Sequence, residues 1–272
     1  NANKNLTKIL ATVSQNADTV YFKEFDKKLI NFIYKKLTGK YKTRWFVLDK
    51  RIKQRWVWRL DNCKLGTNDT IVTTSVETAF SLQRNKSKTH NQRTFYFIQD
   101  FENWSYTDEQ VFESYRLPMQ KLVVSRWLQQ LITTCGEKAV WIPNGFDFSY
   151  FQLITPPAQR NKYTLVCMYH QDARKDLPTA FKAMAKVKEE YPQLHITMFG
   201  AYPPPALPAG YTYYQRPNKA LFNAIYNEAA IYVAASKIEG WGLTIGEAMQ
   251  CGCAVACTDN KGYLEMAHHE TT

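Results

Sequence analysis

The stretch Glu239-Gly240-Trp241-Gly242-Leu243-Thr244-Ile245-Gly246-Glu247-Ala248-Met249, followed by Gly252 and the apolar run 254–258, decides how this chain is built. Another apolar run, 231–235, precedes it, so the order is strand, glycine turn, helix, glycine stop, strand. Strands joined through a helix pair in parallel. Gly240 and Gly242 keep the backbone open where the helix begins near Leu243, and a helix start carries unpaired N–H groups and a positive dipole end. The turn is therefore a candidate seat for a phosphate or a sugar diphosphate. Glu239 lies in the turn and Glu247 about one and a half turns inside the helix, offering hydroxyl acceptors at two depths to a polyol ligand.

Short apolar runs recur on both sides of a break, at 45–48, 70–74, 95–99, 122–125 and 140–143, then at 164–169, 195–200, 231–235 and 254–258. Helical spacing fills 179–191 and 219–229, with Leu177, Ala180, Phe181, Met184 and Val187 expected on one apolar stripe. Apolar strands alternating with helices predict parallel sheets covered on both faces. Pro143-Asn144-Gly145 is a turn signature, and the irregular stretch 146–162 with Pro156-Pro157 follows it. Two α/β domains are expected, 1–145 and 146–272, the second incomplete at its C-terminal end. The loop 201–210, with Pro203-Pro204-Pro205 and Pro208, is too rich in proline for an element interior.

The length of 272 residues fits two domains, and 45% hydrophobic residues exclude a disordered or collagen-like chain. No apolar run reaches the roughly 18 residues of a membrane span. Residues 1–18 lack the pattern of a secretory leader, so a cytoplasmic location is expected. Six cysteines, with Cys251, Cys253 and Cys257 in one apolar stretch, read as buried free thiols rather than as a disulfide framework or a metal site. His268-His269 reads as an exposed tail.

The net charge of +11 resides entirely in the first half, where 24 Lys and Arg face 13 Asp and Glu, against 11 and 11 in 146–272. Most of the excess lies in 21–64, interleaved with Tyr34, Tyr41, Trp45, Phe46, Trp56 and Trp58. A solvated basic face, an anionic membrane surface and a nucleic-acid platform all fit this pattern, nucleic acid least.

The stretch from Glu239 to Glu247, with Ala248, Met249, Gly252 and Val255, resembles the Glu-x7-Glu signature of retaining glycosyltransferases of family 4. Further similarity lies in Ile142-Pro143-Asn144-Gly145-Phe146-Asp147, around Lys175, at Phe199-Gly200, and in Asp259-Asn260-x-Gly262-x2-Glu265. Phe97-Ile98-Gln99-Asp100-Phe101-Glu102 and Val124-Ser125-x-Trp127-Leu128 are similar to rhamnosyltransferases and relatives of bacterial surface-polysaccharide assembly.

The resemblance implies the GT-B fold, two Rossmann-like domains with parallel sheets facing a central cleft, the first on the acceptor side and the second binding the donor. It implies transfer of a hexosyl or deoxyhexosyl group with retention, from a UDP- or dTDP-sugar to a glycan or lipid-linked glycan. Lys175, with Arg174 beside it, would meet the charge that develops on the leaving diphosphate. Glu239 would hold the donor sugar hydroxyls, Glu247 the ribose, and the backbone of Gly242, Leu243 and Thr244 the sugar or diphosphate. Arg216 and Pro217 would lie by the base, and His170 would touch phosphate. Gln99, Asp100 and Asn144 would serve the acceptor side, with Asp100 as catalytic candidate. The sequence holds no Asp-x-Asp, which agrees with metal-independent transfer needing no cofactor. The enzyme would work at the cytoplasmic membrane face, which residues 21–64 would contact. The glycine-rich loop that relatives carry near the start of the first domain is not visible.

Two other readings stand beside this one. A degenerate scaffold of the same fold would bind membrane or nucleic acid through its basic half. An NAD-dependent enzyme would use Gly240-x-Gly242, but the dinucleotide fingerprint places its third glycine three positions on, whereas Gly246 is four on.

Overall fold

The computed structural model describes residues 19–23, 33–34, 37–38 and 52–269. The expected strand 45–48, the leader region 1–18 and most of the basic stretch, including Tyr41, Trp45 and Phe46, lie outside the described residues. The chain divides into two compact units, 1–124 with 128–144, and 125–127 with 145–272.

In the first unit β1 (Thr19–Lys23) and β2 (Lys53–Val57) form a parallel pair. A four-stranded parallel sheet follows in sequential order: β3 (Thr70–Thr73), β4 (Arg93–Ile98), β5 (Gln120–Val123) and β6 (Ala139–Trp141). The intervening helices are α1 (Val76–Arg84), α2 (Asp108–Tyr115) and α3 (Arg126–Thr134). Reciprocal capping boxes start α1, between Ser75 and Thr78, and α2, between Thr107 and Gln110. Val76, Ala79, Tyr96, Ile98, Val111, Tyr115 and Leu128 are buried apolar residues of this unit.

The second unit holds a five-stranded parallel sheet in the order β11-β10-β7-β8-β9. Its elements are β7 (Thr164–Tyr169), α4 (Leu177–Glu190), β8 (His195–Gly200), β9 (Tyr211–Gln215), α5 (Lys219–Glu228), β10 (Ile231–Ala234), α6 (Leu243–Gln250) and β11 (Ala254–Cys257). Alternation along the strands feeds two cores. Leu165, Cys167, Ile196 and Met198 pack with Leu177, Ala180 and Met184 of α4, while Val166, Phe199 and Tyr232 pack with Ile225, Tyr226, Ile245 and Ala248 of α5 and α6.

Two expectations are corrected here. Val187 is 42% exposed, because it falls at the edge of the α4 stripe in the helix's last turn. Cys257 is exposed rather than buried, since β11 is an edge strand with one side open. All six cysteines are free.

The strand order sets where a ligand can enter. From β7 the chain moves outward through β8 to β9, and α5 then returns it to the other side of β7 as β10. Connections leave β7 and β10 in opposite directions, which opens a crevice beyond their carboxyl ends. The residues after β7 are His170 to Lys175, and those after β10 run to Gly242.

Candidate functional site

The loop after β7 is tightly built. Asp172 caps a single 3-10 turn, Ala173–Lys175, by accepting from the Arg174 N–H at 2.9 Å. Its carboxylate also pairs with the Arg174 guanidinium at 2.7 Å, which holds Asp172 down at about 2. Asp176, at φ 44°, turns the chain into α4. The Lys237 N–H donates to the Arg174 carbonyl at 2.8 Å and fastens the β10 loop to the β7 loop.

That fastening brings two sequence candidates together across the crevice. The Lys175 ammonium donates to Glu239 Oε1, and the two side chains are only 18% and 14% exposed. Behind Glu239 the buried Asn260 organises the return of the chain. Its Nδ2 donates to the Ser236 carbonyl at 2.9 Å, and its Oδ1 accepts from the N–H groups of Gly262 and Tyr263, both at 3.1 Å.

α6 starts at Gly242, whose φ of 93° and tight packing on the Tyr263 ring leave no room for a side chain. No side chain caps this end, so the first amides of Leu243 and Thr244 keep the donor capacity of a bare helix start. Glu247, one turn on, is 5% exposed. On the same helix Gly246 admits the Phe146 ring, which a Cβ would meet at 2.0 Å. Phe146 of the turn motif thus contributes to seating α6.

Tyr150 lies close enough to Glu247 for that carboxylate to act on its phenol, which burial first and then Glu247 and Asp147 push up to about 12. The Lys219 ammonium stands 4.5 Å over the Tyr150 ring. Neither residue was singled out from sequence, where only aromatic and charged residue types are visible.

The remaining candidates are more dispersed. His170 follows β7, its Nδ1 accepts from the Asp172 N–H at 3.0 Å, and burial with nearby Lys175 holds its pKa low. Arg216, at φ 48°, and Pro217 follow β9 at the outer edge of the sheet, where the Arg216 Nε donates to the Ala201 carbonyl at 3.0 Å. Gln99, Asp100 and Asn144 belong to the first unit. Gln99 and Asp100 follow β4, and Asp100 accepts from the Phe101 N–H at 2.9 Å.

Beside Asp100 is a residue that the sequence reading quoted without assigning it a role. Glu102 accepts from the Val76 N–H at 2.9 Å, and burial, aided by Asp100, pushes its carboxyl up to about 7. Among the described residues no group of three His, Cys, Asp or Glu is placed to hold a metal ion. No helix of the described residues is long and apolar enough to cross a membrane.

Residues 161–272 match the model of the family described as Glycosyl transferases group 1. A search of curated proteins finds no match. Among solved structures, the chain is similar to the pneumococcal O-GlcNAc transferase GtfA in complex with UDP and GlcNAc, at 17% identity and TM-score 0.53, over 72% of this chain and 43% of that one. It is also similar to the catalytic domain of Arabidopsis thaliana starch synthase IV bound to ADP and acarbose, at 13% identity and TM-score 0.54, over 75% of this chain and 59% of that one. A trehalose-6-phosphate synthase, studied for glycosyl transfer with retention, gives 11% identity and TM-score 0.61, over 91% of this chain and 85% of that one. The chain spans about half the length of the first two. At these identities the likeness is one of fold, and the fold is that of the GT-B glycosyltransferases, α/β with a four-stranded and a five-stranded parallel sheet.

Proposed function

We propose that this chain is a retaining, metal-independent glycosyltransferase of family 4 that moves a hexosyl or deoxyhexosyl group from a UDP- or dTDP-sugar to a glycan or lipid-linked glycan. The observation that carries this reading is the meeting of Lys175 and Glu239 beyond the carboxyl ends of β7 and β10, beside the open start of α6. Negative charge grows on the β-phosphate as the donor bond breaks, and Lys175, with Arg174 and the first α6 amides, is the cationic and N–H surround that such a charge needs. Glu239 accepts from hydroxyls of the transferred sugar, and Glu247 from the ribose. Arg216 and Pro217 border the base, and His170 borders the phosphates. In the first unit Gln99, Asp100 and Asn144 would serve the acceptor, with Asp100 as the catalytic candidate. The sequence similarity of 97–102 and 124–128 to rhamnosyltransferases supports a role in bacterial surface-polysaccharide assembly at the cytoplasmic membrane face, where the basic stretch 21–64 would meet anionic lipid.

Thermal unfolding with UDP, dTDP, GDP, ADP and NAD tests the donor class. A ligand at about 100 times its Kd adds ~2.7 kcal/mol, a rise of several degrees for domains of this size. One nucleoside diphosphate should stabilise the protein, and less so after Lys175→Ala. Stabilisation by NAD alone would replace this reading with a dinucleotide enzyme.

A further inference from the structure

We infer that Glu239 is a specificity-determining residue that makes the site prefer a sugar nucleotide to the bare nucleoside diphosphate, because its carboxylate competes with the diphosphate for the Lys175 ammonium. The inference rests on the donor-site reading above and adds to it a discrimination between substrate and product.

In the structure the ammonium and the carboxylate satisfy each other, and both are mostly shielded from water. Removing one partner of a shielded pair leaves the other charge uncompensated, an effect moderated here by the exposure that remains. A diphosphate arriving at Lys175 therefore competes with Glu239 for the ammonium and is repelled by its carboxylate. A carboxylate accepts hydrogen bonds and donates none, so phosphate oxygens offer it nothing in exchange. Sugar hydroxyls do. A ligand that brings both phosphate and sugar satisfies both halves of the opened pair, whereas a nucleoside diphosphate satisfies only Lys175.

The surroundings close the other ways out. Gly262 packs directly against the Glu239 backbone, so the main chain that carries the carboxylate cannot withdraw. The nearby cations already face carboxylates of their own, Arg174 on Asp172 at 2.7 Å and Lys237 toward Asp176 at 3.7 Å. Release of the bare diphosphate after transfer is then assisted by Glu239 returning to Lys175.

Isothermal titration of the 272-residue chain with UDP, dTDP, GDP and ADP, and with the corresponding glucose nucleotides, tests this. For the base that binds, Glu239→Gln should tighten the bare diphosphate by about tenfold, ~1.4 kcal/mol, and weaken the sugar nucleotide. The gain should vanish when Lys175→Ala is added. Glu239→Asp, which keeps the charge but shortens its reach, should tighten the diphosphate in the same direction and guards against misfolding of the first variant. Wild-type binding of a diphosphate that neither variant tightens overturns the inference. Absence of any nucleotide binding by the wild type overturns the donor-site reading, and this inference with it.

Discussion

Gly262 and Glu239 meet backbone to backbone: a Cβ on Gly262 would lie 2.2 Å from the Glu239 carbonyl oxygen and 2.7 Å from its carbonyl carbon. The obstacle is main chain and cannot swing aside, so Gly262→Ala must move either the Asn260 turn or the loop that presents Glu239. Overpacking of this kind costs about 1 to 3 kcal/mol. The expected result is a Tm lowered by roughly 2 to 4 °C per kcal/mol, together with weaker sugar-nucleotide binding. A Tm and an affinity both equal to wild type would show that the two segments are not held together.

The turn around Glu239 was legible because glycine has few other reasons to stand there. Gly240 and Gly242 between an apolar run and a helical one announced strand, turn and helix, and α6 begins at Leu243 as expected. Runs at 164–169 and 195–200 reappear as β7 and β8 because buried parallel strands are apolar on both faces. β9, Tyr-Thr-Tyr-Tyr-Gln, does not stand out in the sequence as a strand, since its partly exposed aromatics and polar residues form no continuous apolar run. α2 could have been read from Thr107 and Gln110, the two ends of a capping box. The pairing of Lys175 with Glu239 was out of reach, because residues 64 positions apart meet only through the order of strands in the sheet.

Lys175→Ala removes the ammonium that faces the leaving diphosphate in the proposed reaction. Loss of a charge partner that acts in the transition state lowers kcat by about two to three orders of magnitude. The fold should survive, since the side chain lies at the mouth of the sheet and not in either core. Single-turnover transfer assays measure the effect, and a kcat within a factor of two or so of wild type would remove Lys175 from the mechanism.

Glu247 is buried on α6 at 5% exposure and is proposed to accept from the ribose. Glu247→Ala deletes that acceptor and should weaken donor binding by roughly 1 to 3 kcal/mol, with a smaller effect on kcat than Lys175→Ala. Glu247→Gln keeps one oxygen and should recover part of the loss. Donor titrations in which all three proteins bind equally would place the ribose elsewhere.

Glu102 predicts a pH dependence of stability in the neutral range. Burial raises its carboxyl from 4.5 to about 7, so between these values the native state holds a proton that the unfolded chain has released. The stabilisation is fully present below 4.5 and is lost as pH rises through 7, where the buried carboxylate becomes charged in the folded protein. Asp172 acts in the opposite sense and in another window, because its carboxyl is held at about 2 and its contribution is lost only in strong acid. Glu102→Gln retains an oxygen for the Val76 N–H and cannot ionise. Thermal unfolding from about pH 5 to pH 8 should therefore show wild type falling in Tm across the range and the variant falling less. Parallel curves for the two proteins would mean that Glu102 is already charged at pH 5 and that its burial is relieved by water.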